Sequence, residues 1–318
     1  MRTGFGSGAR SVVKGRSALG GAALVVACAL ASTPAAASIW SDTDIGYRYG
    51  TSYREPFNDK DITKNIISLT HASGYKYGSN FFNVDMLMSN EEDLSSCGTG
   101  QTVSGAPCTS SGGAHEVYVV YRTTLSGSAI TGIPMKFGGI IRDVGLTGGF
   151  DFNAKDDQFS ARVMKWAVGP KVSFDVPGFL DVAVVYRTES NHNWYASYYG
   201  CAGSNDPDKC GDVNFNNTAA LEVAWGIPFT FGLPMKFQGF GDYIGAKGPD
   251  GQGAGTKPET LIEAAVMLDI GSLVKQKETF YIGAGYQYWH NKFGSNSDTD
   301  PTGGSTAHVP QLELELHF

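Results

Sequence analysis

Beyond Ala31 the sequence has no apolar run of the roughly twenty residues that a membrane-spanning helix needs. A helical anchor is thereby excluded from the rest of the chain. Basic residues are also scarce, with 24 Lys and Arg against 31 Asp and Glu for a formal net charge of −7. That balance excludes nucleic acid as a partner. Cysteine is limited to five positions, with no His or Cys at zinc-like spacing beside any of them. The six histidines sit in no recognisable Ser/His signature. No phosphate-cradling loop is present, because the glycines follow strand and turn positions.

What is present begins with a leader. Arg2, Arg10, Lys14 and Arg16 precede the apolar stretch ALGGAALVVACALA (18–31), and TPAAAS supplies small residues at Ala35 and Ala37. That order reads as an export signal over residues 1–37. A rival cut at a loose lipoprotein box, Val25-Val26-Ala27-Cys28, is disfavoured because the apolar run continues past Cys28 into a conventional site. Removing four bases and no acids leaves 20 − 31 = −11 for the mature chain, residues 38–318. The remaining cysteines form two local pairs, Cys97 with Cys108 and Cys201 with Cys210, each inside a polar Gly/Ser/Asn-rich segment. In an exported chain this reads as two loop-stapling disulfides, each contributing about 2–3 kcal/mol through loop closure.

The mature sequence alternates with period two. HVPQLELELHF (308–318) places Leu312, Leu314, Leu316 and Phe318 on one face and Gln311, Glu313, Glu315 and His317 on the other. The same pattern recurs over 43–53, 62–73, 79–89, 115–125, 134–145, 159–175, 178–190, 215–228, 233–245, 257–270, 277–290 and 306–318. Each segment is near the ten or so residues with which a tilted strand crosses a bilayer. Short connections alternate with longer polar ones that include both cysteine segments. Forty-two glycines and 12% aromatics fit tight turns and aromatic girdles. These features predict an all-β fold, a 12-stranded antiparallel transmembrane β-barrel of the outer membrane of a Gram-negative bacterium.

One string occurs twice. GIPMKFGGI (132–140) and GLPMKFQGF (232–240) lie 100 residues apart, and the strand assignment makes both the first corners of strands that rise from short turns. Proline is tolerated at a strand's first residue. Met135, Phe137, Met235 and Phe237 would then face lipid, and Lys136 and Lys236 the lumen. VVYRT also recurs (119–123 and 184–188), on strands of opposite direction, so that likeness is compositional.

TGIPMKF and FGLPMKF resemble the corner motif of the Tsx-type nucleoside-specific outer-membrane channels, and GYQYWHNKFG (285–294) is similar to family sequence near the end of the barrel. The resemblance covers the whole mature chain as a pattern and only these motifs as residues; the cysteine loops depart from it. It implies facilitated diffusion of nucleosides without a cofactor. Other small polar solutes are an alternative cargo, and a barrel lipid hydrolase is a third reading. For the hydrolase only His71 and His308 fall at outward rim positions, without a serine partner. The final strand ending at Phe318 would be the segment engaged by the barrel-assembly machinery.

With the apolar face of each strand turned to lipid, the inner face collects charges such as Arg48, Lys64, Asp85, Arg122 and Glu263. The simplest role for these is to pair across a wet interior. Aromatics also fall inward, namely Phe81, Tyr118, Phe240, Tyr281 and Trp289. Beside Arg142, Arg187, Asp242 and Glu313 they form candidate substrate contacts, with rings to stack on a flat base and polar groups for hydroxyls. Phe240 and its counterpart Ile140 would make two apolar shelves. The loop prediction is tested by non-reducing peptide mapping, which should recover Cys97 linked to Cys108 and Cys201 linked to Cys210. Links between the two segments would refute the pairing.

Overall fold

The computed structural model describes residues 38–93, 113–155, 161–192, 212–251 and 253–318, with a short ladder of Thr102–Val103 against Ala106–Pro107. The expected leader and Cys97, Cys108, Cys201 and Cys210 lie outside the described residues. Twelve strands form the wall: β1 (Trp40–Tyr53), β2 (Ile62–Tyr75), β3 (Gly78–Ser89), β4 (His115–Ser126), β5 (Ile141–Lys155), β6 (Arg162–Phe174), β7 (Phe179–His192), β8 (Thr218–Phe231), β9 (Leu233–Ile244), β10 (Glu259–Asp269), β11 (Phe280–His290) and β12 (Thr306–His317). Each pairs antiparallel with its sequence neighbours, and β12 pairs with β1 to close the ring. Closure leaves no open edge, which is what a strand structure in hydrocarbon requires.

Alternation sorts the side chains. Gln311 and Glu313 of β12 are buried on the inside, while Leu312 and Leu316 are about half exposed on the outside. Ile45, Ile67, Met86, Trp166, Val184 and Tyr186 continue that outward apolar surface around the wall. A soluble protein would hide such side chains; here they form the lipid-facing band. Buried apolar packing is confined to small clusters, such as Tyr53, Ile62, Ile66, Ala307 and Val309 beneath the loops.

The two termini of the barrel wall, Trp40 and His317, lie at one end, with the Lys76–Tyr77 turn, the 175–178 turn and the single residue Gly232. Gly232 adopts a left-handed φ of 73°, which turns β8 directly into β9. The opposite end carries the segments 54–61, 245–258 and 291–305. Asp300 locks two of them together. It accepts hydrogen bonds from the Ser305 amide (2.7 Å) and hydroxyl (2.6 Å), the Thr302 hydroxyl (2.6 Å) and the Phe57 amide (3.3 Å). Burial raises the pKa of this carboxyl, but the bonds outweigh it and hold it at about 2. This contribution is complete above the ordinary carboxyl pKa of about 3.9 and is lost as pH falls through about 2. Lys292, itself 2% exposed, donates to the Arg54 carbonyl (2.7 Å) and to Glu55 (3.2 Å), joining the same two segments. Burial holds the Lys292 pKa below the usual lysine value.

The fifth strand corrects the sequence reading. It runs from Ile141 to Lys155 and not over 134–145, and the first copy of the repeated string precedes it as a turn. Ser126 caps the helix α1 (Gly127–Thr131), accepting from the Ala129 amide, and Gly132 ends it at a left-handed φ of 70°. The Ser128 hydroxyl then accepts from the Met135 amide at 2.8 Å and donates to Asp143 at 2.7 Å. Gly138 and Gly139 follow at φ 60° and 72°. In the second copy Gln238 stands where Gly138 does, and the string is extended strand from Leu233 onward. Consecutive left-handed positions favour glycine, so the GG pair permits the extra turn that QG disfavours. Lys136 therefore lies outside the lumen. Ile140 is 64% exposed in the turn and forms no second shelf. The β5–β6 connection shrinks to 156–161, so the alternation of loop lengths is weakest here.

The two copies should respond differently to alanine. At Gly139 a Cβ meets nothing within 4 Å, so Gly139→Ala should cost only the left-handed strain of about 1–2 kcal/mol. At Gly239 a Cβ would lie 2.1 Å from the Glu263 carbonyl and 2.7 Å from the Trp225 ring. Gly239→Ala should sharply reduce the yield of heat-modifiable barrel in detergent refolding. Equal yields from the two variants would contradict this account.

Candidate functional site: the charged lumen

The inward positions of the twelve strands enclose a continuous cavity of about 2530 Å³. Its lining includes Trp40, Asp42 and His317 at the end carrying the termini, and Glu92, Asp250 and Phe293 at the other. Among the described residues it is lined by 22 acidic and 12 basic side chains, an excess of ten carboxylates.

Two arginines reach across this space. Arg48 of β1 contacts both Asp85 of β3 and Glu263 of β10; Glu263 also accepts from the Gln287 amide at 2.7 Å. Arg122 of β4 forks onto Glu222 of β8, with N–O distances of 2.9 and 3.2 Å, and donates to Asp151 of β5 at 2.7 Å. Arg187 of β7, only 3% exposed, meets Asp151 at 2.8 Å and lies 3.6 Å from Glu222. Arg122 and Arg187 are the arginines of the two VVYRT strings, and they converge on the same pair of carboxylates. Planar guanidinium groups suit such shared, forked geometry where a lysine would not.

Further pairs line both mouths. Near the termini, Lys236 contacts Glu315 at 2.6 Å and lies 4.0 Å from the Tyr281 ring centroid. His317 lies 3.0 Å from Asp42 and 3.2 Å from Glu315. Toward the loops, Lys64 meets Glu55 at 3.1 Å and Lys247 meets Glu189 at 2.7 Å.

All nine lumen candidates from the sequence line the cavity, but most are engaged. Tyr118 donates to Asp151 at 3.3 Å, and Trp289 donates to Glu259 at 2.7 Å beneath the Lys292 ammonium. Arg142 lies at the mouth near the termini, donating to the Gly178 carbonyl at 3.1 Å. Arg187 belongs to the waist network, and Glu313 is 5% exposed against the chain at Gly285. Four have no partner among the described residues, Glu313 included. The Phe81 and Phe240 rings have no aromatic or cationic partner, and Asp242 takes no hydrogen bond or ion pair. Phe81 on β3 and Phe240 on β9 are six strands apart, on opposite walls. Phe81 is in register with Arg122, and Phe240 with Glu263.

Asp151 was not foreseen, because the misplaced fifth strand put it in a loop. The signal was legible: Leu146, Gly148, Phe150, Phe152 and Ala154 alternate with Thr147, Gly149, Asp151 and Asn153. On the outer surface His71 hydrogen-bonds Thr43 (2.8 Å) and His308 hydrogen-bonds Tyr286 (2.9 Å). Among the described residues no group of three or more His, Cys, Asp and Glu could hold a metal ion.

No family model and no curated protein matches the chain. Among solved structures, the KdgM porin in complex with disordered oligogalacturonate is 11% identical at a TM-score of 0.38, covering 86% of this chain and 99% of its own. The NanC porin is 10% identical at 0.40 over 87% and 99%. The translocator domain of autotransporter NalP from Neisseria meningitidis is 12% identical at 0.38 over 87% and 88%. The assignment therefore rests on the chain's own strand ladder, lipid-facing band and lumen, which together define an outer-membrane β-barrel.

The Arg122 bridge should be structural. Arg122→Gln leaves Arg187 to hold both Asp151 and Glu222, and removing one partner of a buried pair costs up to about 3–5 kcal/mol. The midpoint of urea-induced unfolding in detergent should fall accordingly. An unshifted midpoint would show that the bridge holds nothing.

Proposed function

We propose that the chain is a channel for facilitated diffusion of small polar solutes across the outer membrane of a Gram-negative bacterium, with nucleosides as its substrate class. The observation that carries this reading is the continuous cavity with two phenyl faces, Phe81 and Phe240, on opposite walls. Neither ring has an aromatic or cationic partner among the described residues, and Phe81 is in register with Arg122 and Phe240 with Glu263. A flat base has two faces to stack, and a ribose offers hydroxyl donors that carboxylates accept. A phenyl ring left on a wet surface forgoes about 1.5–3 kcal/mol of burial, which a passing aromatic solute would restore. On this reading residues 1–37 direct export, the cysteine pairs staple outer loops, and the last strand to Phe318 engages the assembly machinery. Cofactors play no part, since passage runs down a gradient.

Liposome swelling with nucleosides against sugars of equal size tests the cargo, and nucleosides should enter faster. Phe240→Ala should leave a heat-modifiable barrel whose nucleoside block of single-channel current is weakened by up to about tenfold, stacking being worth about 1 kcal/mol. Unchanged block in a folded Phe240→Ala barrel would remove that ring from the path.

A further inference from the structure

The charge lining the cavity is unevenly distributed around the ring. On β1 to β7 the lining carries eight bases and eight acids. On β8 to β12 it carries seven acids, including Glu222, Asp242, Glu263, Glu313 and Glu315, against Lys236 alone. Lys236 is consumed by Glu315. Arg48 and Arg122 reach over from the balanced wall to hold Glu263 and Glu222. Two carboxylates on this wall are left over. Asp242 is opposite Glu222 in register but has no ion pair or hydrogen bond among the described residues. Glu313 is 5% exposed and lines the cavity, and among the described residues it makes no ion pair and its Oε1 has no hydrogen-bond partner. A carboxylate so buried is stable in its charged form only beside a counter-charge. The arginines that act on these two, Arg187 on Asp242 and Arg48 on Glu313, are each already held by two other carboxylates.

We propose that the lumen is a cation-selective conduit, in which small monovalent cations track along the β8–β12 wall past Asp242 and Glu313. This rests on the channel reading above. Rings or walls of carboxylates raise the local concentration of cations and repel anions. The two phenyl-bearing walls are not equivalent for a charged solute. Phe240 stands on the acidic side, between Asp242 on its own strand and Glu263 across from it, so a cationic solute meets ring and carboxylates together. An anionic solute of the same size is repelled there by Asp242, while the Arg48 guanidinium at Glu263 is already engaged. The field weakens with salt, because the screening length falls from about 10 Å at 0.1 M to about 3 Å at 1 M.

The test is the reversal potential of the full-length refolded barrel in planar bilayers under a potassium chloride gradient. Potassium should be preferred over chloride by more than about threefold at low salt, with the preference shrinking as salt rises. Glu313→Gln and Asp242→Asn should each lower the ratio, and the double variant by at least about twofold. Heat-modifiable migration on gels verifies folding. A barrel that conducts without cation preference, or a folded double variant with an unchanged ratio, overturns this inference and leaves the channel reading standing. A wild-type barrel that does not conduct overturns both.

Discussion

An unpaired peptide N–H in hydrocarbon costs several kcal/mol, so the ladder between β1 and β12 is the contact on which the rest of the structure depends. It joins the first strand of the described chain to the last, with Asp44 opposite His317, Ile45 opposite Leu316 and Arg48 opposite Glu313. The seam is secured at its end. The Phe318 amide donates to the Thr43 carbonyl at 2.9 Å, and His317 lies 3.0 Å from Asp42 across the join. Without that bond the Thr43 carbonyl of β1 would be left as a free acceptor at the membrane edge. The final Phe thus completes a backbone requirement as well as an apolar pattern.

Closure fixes parity, and parity fixes the lumen. Once Leu312, Leu314 and Leu316 face lipid, Gln311, Glu313 and Glu315 have nowhere to go but inward. Twelve strands enclose a space narrow enough for long side chains to meet across it, so the wall must solve an electrostatic problem in its own interior. The arginines of β1, β4 and β7 are spaced three strands apart and each satisfies two carboxylates. Small residues make room where side chains lean over the wall. A Cβ at Gly285 would stand 1.8 Å from Glu313, and one at Gly46 2.2 Å from the Ser68 hydroxyl.

Much of this was legible because a barrel writes its fold as alternation. The inward positions of Arg48, Lys64, Glu222, Asp242 and Glu263 follow from counting in twos once lipid takes the apolar face. The failure at the fifth strand has a local cause. Proline-Met-Lys-Phe has the same extended preference in both copies, and a reading by likeness treated both as strand. What separates them is the neighbourhood. Ser126 and Ser128 build a capped turn around Asp143, and Gly138-Gly139 supplies two left-handed residues, whereas Gly232 alone separates β8 from β9. The alternation from Leu146 to Ala154 competed with the motif, and tertiary pairing with β4 and β6 decided for it. The partners of Arg122 could not be read from sequence at all. Glu222 lies four strands away, and only closure brings it within reach.

The arginine bridges act in two opposed ways. They tie strands that share no backbone ladder, resisting collapse or ovalisation of the ring, and they occupy the middle of the space they hold open. Arg48 and Arg122 both originate on the balanced wall and both end on the acidic one. Each therefore cancels a carboxylate there without adding a base to that wall's own strands. The passage is consequently edged by guanidinium groups on one side and by residual carboxylate on the other, with Phe81 in register with Arg122 and Phe240 with Glu263. On the proposed channel reading, a solute crossing the waist would align its polar groups with that transverse field while its apolar face meets a ring. Orientation would then be imposed by the same side chains that hold the ring's shape, so shape and selectivity could not be altered independently at Arg48 or Arg122. They could be separated at Asp242 and Glu313, which take no ion pair or side-chain hydrogen bond among the described residues.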